Sequence, residues 1–152
     1  MAGARQEWTV ALRLDPKLLA ARLGLLQFAA TAKDHAEMER LLRGGVENTP
    51  GSPELANALA WLLATCPDAG RRNGAQAIEW AEKACQATKH ADHTMLDTLA
   101  AAYAAADRFD EARKWIAEAI KLAQAEKQAE AVQDYEARQA LYEAGKPYFE
   151  TP

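Results

Sequence analysis

Two helix-stopping prolines, Pro16 after Asp15 and Pro50 after Thr49, stand 34 residues apart in the chain. Proline ends a helix because it lacks the amide hydrogen and its ring collides with the preceding turn. A break at that interval leaves room for two helices and a turn, and such units bury their apolar faces only by stacking on one another. Composition agrees. Hydrophobic residues make up 49% of the chain, yet much of that share is alanine and only 7% of residues are aromatic. Alanine forms helix best because it loses no side-chain entropy on ordering. β-branched residues are sparse, and no segment alternates apolar with polar as a half-buried strand does. An all-α chain is expected, with a thin core repeated between paired helices rather than one large centre.

The clearest unit spans 92–123. Leu96, Leu99, Ala100 and Tyr103 share one face of a first helix, and Ala112, Ile116 and Ala119 share one face of a second. Ala100 and Ala112 let the helices approach, while Leu99, Tyr103, Phe109 and Ile116 fill the gap between them. Asp107 is the expected N-cap of the second helix. This spacing resembles the tetratricopeptide repeat. A second unit, 52–88, carries Ala56, Leu59, Ala60 and Leu63, then Ala77, Ala81 and Ala84 at matching positions. Ser52 caps it and Pro53 takes the first helical position, where a missing N–H costs nothing. Its inter-helix turn, Pro67 to Gly74, is long, and Asn73 with Gln76 reads as a capping box. A third unit, 18–50, is degenerate. Leu25 and Ala29 fit, and Asp34 with Glu37 reads as a capping box, but Met38 and Gly45 stand where small residues and alanine are usual. Looser packing is expected there.

The ends extend the pattern. Residues 6–16 resemble the second half of a preceding repeat, either a remnant of a longer protein or a single capping helix. After Ala123 no proline or glycine interrupts the chain until Gly145. Either the last repeat helix runs on, or it turns near residues 124–127 into a capping helix over about 126–144. Such a cap would put Val132, Tyr135 and Tyr142 inward and Glu130, Asp134 and Arg138 outward, closing the last apolar face. Tyr148 and Phe149 would tuck back. The resemblance implies a right-handed α-α superhelix of about three helical hairpins, with an N-terminal half-repeat and a C-terminal cap. The segments LAWLLATCPDAGRRNGAQAIEWAEKA (59–84), LDTLAAAYAAADRFDEA (96–112) and ALYEAGKPYFE (140–150) also resemble, over most of 52–150, the C-terminal end of bacterial multidomain proteins whose repeats follow a membrane-embedded, glycosyltransferase-like region.

Charge and motif narrow the function. A formal net charge of −4 argues against phosphate-backbone binding, which needs clustered Lys and Arg. No apolar run approaches the roughly 20 residues that cross a bilayer. Cys66 and Cys85 are expected as buried free thiols. No glycine-rich phosphate loop, catalytic triad or metalloprotease helix is present, and paired carboxylates such as Asp110 and Glu111 fall on exposed turns. His90, Asp92 and His93 lie together, but at no recognised metal-ligand spacing. No catalytic residue, metal or cofactor is expected, and the sequence names no compartment.

The resemblance implies a groove lined by first helices that holds another protein or a peptide. By spacing, the groove residues are Leu23 and Gln27, Asn57 and Trp61, then Thr94, Asp97 and Ala101. Trp61 either anchors a ligand or packs beneath the 67–74 turn or a neighbouring helix. Family members that clamp a chaperone's C-terminal carboxylate use lysine, asparagine and arginine. Here only Asn57 matches, so that ligand is not expected. Arg71 and Arg72 are candidate contacts for an acidic partner. The unpaired N-terminal helix is a candidate for self-association. The expected role is a protein-interaction scaffold. The alternative is an accessory domain that positions substrates for a membrane-linked glycosyltransferase-like enzyme.

Overall fold

The computed structural model describes residues 2–152. Among the described residues there is no strand. These residues form eight α-helices, against the six that three hairpins alone would supply: α1 Ala2–Leu14, α2 Leu19–Thr31, α3 His35–Asn48, α4 Pro53–Thr65, α5 Gly74–Ala87, α6 His93–Ala105, α7 Phe109–Ala125 and α8 Ala129–Glu143. The chain divides into two compact units, one reaching to Leu55 and the other running from Ala56 onward.

In the first unit α2 packs on α1 and on α3. Leu25, Ala29 and Leu41 form its centre, with Trp8, Leu12, Leu26 and Met38 against them. Trp8 lies so close to Gly24 that a Cβ there would meet the indole at 2.3 Å. Glycine is what lets α1 and α2 approach at that point. Arg22 is 5% exposed. Its guanidinium donates to the Leu41 carbonyl at 2.6 Å and to the Pro16 carbonyl at 2.7 Å. Burial lowers its pKa, with Arg40 adding like-charge repulsion. A Cβ on Gly45 would sit 3.0 Å from the Arg22 side chain. The glycine found where alanine is usual therefore makes room for a buried arginine, while Leu18, Leu19 and Leu23 of this unit stay 38%, 46% and 51% exposed.

In the second unit α6 packs against α5 and α7, and α7 against α8. Every α6 residue from Met95 to Ala104 is buried. A helix apolar on nearly all sides must be enclosed. The enclosure is made by small residues: Ala77, Ala81 and Ala84 on α5, and Ala112, Ala119 and Ala123 on α7, are all 0% exposed. Leu59 and Leu63 of α4 and Ile116 of α7 supply the larger buried volume. Side chains cap the starts of several helices. Asp34 accepts from the Glu37 N–H at 3.0 Å, Asn73 from Gln76 at 3.0 Å, and Asp92 from Thr94 and Met95 at 2.8 and 3.1 Å.

Five helix ends use one device. Lys33, Lys89, Asp107, Lys127 and Gly145 take φ between 52° and 68°. The next residue's N–H then returns to a carbonyl five residues back: Asp34 to Ala29, His90 to Cys85, Arg108 to Tyr103, Gln128 to Ala123 and Lys146 to Leu141, at 2.8–2.9 Å. This satisfies carbonyls the helix end would otherwise orphan. Asp107 is accordingly a left-handed turn residue rather than the N-cap of α7, a position held by Arg108. The same turn at Lys127 separates α7 from α8, so the last repeat helix does not run on. Tyr135 and Tyr142 are 4% and 0% exposed, Val132 is half-buried, and Glu130 and Asp134 face outward. Arg138 does not face outward: its side chain is 13% exposed and turned toward α6.

Candidate functional site

Three helices of the second unit present one face each to a common depression of about 390 Å³. From α4 come Asn57, Ala58 and Trp61; from α6, Thr94, Asp97 and Thr98; from α8, Ala131, Asp134, Tyr135 and Arg138. Spacings of three and four residues put each set on one helical stripe.

Its floor is an ion pair. Asp97 and Arg138 meet by two parallel bonds, Nε to Oδ1 and Nη2 to Oδ2, both 2.8 Å. The Asp97 side chain is 6% exposed. A carboxylate so deeply buried is tolerable only when paired and hydrogen-bonded, and the planar guanidinium fork matches it. Burial still outweighs the guanidinium and pushes the Asp97 carboxyl up to about 6. The Arg138 guanidinium carbon lies 5.0 Å from the ring centre of Tyr148 and 5.4 Å from those of Trp61 and Tyr135. These aromatic faces add cation–π attraction and hold the arginine in one orientation. The Tyr135 hydroxyl lies 2.7 Å from His93 Nδ1, and burial pushes the phenol up to about 12.

Two buried side-chain atoms among the described residues lack a hydrogen-bond partner: the Asn57 carbonyl oxygen Oδ1 and the Tyr142 hydroxyl. Asn57 lines the depression. A buried acceptor without a donor costs free energy, and because the Asn57 Oδ1 atom is closed to solvent, it accepts from a ligand N–H only once the side chain turns outward. Asp134, exposed on α8, adds a carboxylate. The depression thus offers acceptors and aromatic faces, with its one lining guanidinium engaged by Asp97.

The C-terminal segment borders it. Trp61 Nε1 donates to Glu150 Oε1 at 2.8 Å, and the Trp61 and Tyr148 ring centres are 5.9 Å apart. The Glu150 N–H donates to the Thr65 carbonyl at 2.8 Å, satisfying a carbonyl at the end of α4. Trp61, half-buried, therefore stands between the depression and the tail rather than beneath the 67–74 turn.

Of the residues placed in a groove by spacing, Asn57, Trp61, Thr94 and Asp97 come together here. Ala101 does not, being 1% exposed inside the α6 packing. Leu23, 51% exposed, and Gln27, also exposed, lie on α2 of the first unit. Arg72, a candidate contact for an acidic partner, is half-buried and engaged within the chain. It donates to the Cys66 carbonyl at 2.8 Å and stacks over the Phe149 ring at 3.6 Å. Arg71 stands 3.5 Å from Asp68. His90 stacks on Trp115 with ring centres 5.3 Å apart, and Asp92 caps α6. No group of three or more His, Cys, Asp or Glu gathers as a metal-ligand set among the described residues. Cys66 and Cys85 are free and buried. Burial, with Asp92 and Glu82 nearby, pushes the Cys85 thiol up to about 12. Among the described residues no helix is long and apolar enough to cross a membrane. On α1, Val10 and Leu14 are 44% and 82% exposed beside Gln6, Glu7 and Ala11.

Neither a protein-family model nor a curated protein matches this chain.

Spacing missed Arg138, Tyr135 and Thr98. Ala131, Asp134, Tyr135 and Arg138 do recur at helical intervals, and that stripe was the available signal. It reads equally well as a capping face until the rotation of α8 is known.

Proposed function

We propose that the chain is a non-catalytic protein-interaction scaffold of the tetratricopeptide type, and that its second unit holds a segment of another protein against α4, α6 and α8. One observation carries the reading: Asn57, whose buried carbonyl oxygen has no partner, lines a depression that also gathers Trp61, Thr94 and Asp97. Acceptors at Asn57 and Asp134 and aromatic faces at Trp61 and Tyr135 favour a donor-bearing segment, such as a peptide N–H flanked by a basic side chain. A recognition site needs few directed polar groups beside apolar area, and half-buried Trp and Tyr are the usual anchors. The repeated small residues of α5, α6 and α7 are the support for a tetratricopeptide-type stacking of the hairpins.

The test is selection of displayed peptides on the native chain, with an Asn57→Ala variant in parallel. Selected peptides should share a consensus with at least one basic residue, and the variant should bind them at least tenfold more weakly while melting like the native protein. Equal binding to both proteins, or no selectable peptide, contradicts the reading.

A further inference from the structure

Residues 146–152 form neither helix nor strand, yet the first five of them follow a defined path along the α4 end of the second unit. Gly145 ends α8 at φ 68° and turns the chain back. Pro147 fixes its own φ and biases Lys146 toward an extended conformation. Tyr148 then lies against Trp61 and Arg138, Phe149 under the Arg72 guanidinium, and Glu150 bonds both Trp61 Nε1 and the Thr65 carbonyl. Main-chain hydrogen bonding combined with side-chain anchors is how an extended peptide is recognised in general.

We propose that this α4 surface is a docking track for extended segments bearing two aromatic residues followed by a carboxylate, and that the chain's own Tyr148-Phe149-Glu150 is its resident, displaceable occupant. The inference rests on the binding-face reading through Trp61 and Arg138, which serve the track and the depression at once. Two features make the tail releasable. Phe149 is 39% exposed, and Glu150 is exposed as well. The anchors are few and lie near the surface, so local opening is far easier than global unfolding. A tethered tail acts at an effective concentration on the order of millimolar. An outside segment therefore competes poorly until the tail lifts, and lifting it opens the depression along α4 toward Thr65 and Arg72.

The test uses the full chain carrying Tyr148→Ala, Phe149→Ala and Glu150→Ala together. The probe is a fluorescent synthetic peptide of this chain's residues 145–152, followed by anisotropy. The variant should bind the peptide at least tenfold more tightly than the native chain does, and adding Trp61→Phe, which removes the indole donor, should weaken that binding several-fold. Equal binding to both proteins, or no binding to a variant that circular dichroism shows folded, overturns the proposal. Hydrogen exchange on the native chain gives a reading that does not depend on the variant's folding. The Trp61 indole and Glu150 amide should exchange far faster than the amides of α6, and exchange only on global unfolding overturns the proposal. The two readings fail separately. If the tail peptide binds but displaces no selected ligand, the track stands and the depression falls. If selected ligands bind native and tail-substituted chains equally, the displaceable tail falls and the depression stands.

Discussion

Asp97 binds its proton more readily in the folded chain, up to about 6, than the ordinary value of 3.8 allows, because burial penalises its charge. Protonation therefore favours the fold. The contribution is complete below about pH 4 and is lost as pH rises through about 6. At about 1.36 kcal/mol per unit, the loss is on the order of 3 kcal/mol. Denaturant titrations of native and Asp97→Asn proteins should show it: the native-minus-variant stability falls by that order between about pH 4 and pH 7, and parallel curves would contradict it. Arg22 makes a second residue-scale case. Two bonds from its guanidinium to carbonyls hold Leu41 and Pro16. At about 1.5 kcal/mol each, Arg22→Met should cost about 3 kcal/mol in the same assay, and a loss below about 0.5 kcal/mol would make the bonds incidental. Neither arginine role was legible in sequence. Arg138 is 41 residues from Asp97, and Arg22 is 19 from Leu41. An arginine on a helical stripe carries no sign of whether its head reaches water or a buried partner.

Element boundaries were legible wherever chemistry marks them locally. Pro16 and Pro50 follow the ends of α1 and α3, Pro53 starts α4, and Asp34 and Asn73 cap α3 and α5. The turn between α7 and α8 was legible only as one of two alternatives, because Lys127 takes φ 58° without a glycine to announce it. A lysine in that region tolerates a conformation glycine adopts freely. What compensates lies across the fold: Tyr135 and Tyr142 are buried only if α8 folds back on α7. Relief of that strain predicts that Lys127→Gly stabilises the chain by about 0.5–1 kcal/mol, raising Tm by roughly 2–3 °C. Gly145→Ala, at φ 68°, should lower Tm by a similar amount. Thermal melts check both, and a lower Tm for Lys127→Gly would show that its side chain does more than occupy the turn.

At the scale of the whole molecule, alanine sets what the second unit can be. A central helix buried from Met95 to Ala104 needs neighbours close enough to enclose it, and the fully buried alanines of α5 and α7 allow that approach. This packing leaves α4, α6 and α8 to contribute one polar stripe each, and those stripes converge on Asp97 and Arg138. The small-residue periodicity and the positions of Asn57, Trp61, Thr94 and Asp97 could be read from spacing. The convergence could not, since it depends on how far α8 turns about its axis after Lys127. Under the proposed function the second unit is the binding element. The most direct measurement is an amide-resolved NMR titration of the native chain with a peptide selected on it. Shifts should concentrate at Asn57, Thr94, Thr98, Asp134 and the Trp61 indole while α1 to α3 stay unchanged. Shifts centred on α1 to α3, with α4, α6 and α8 silent, would contradict the account.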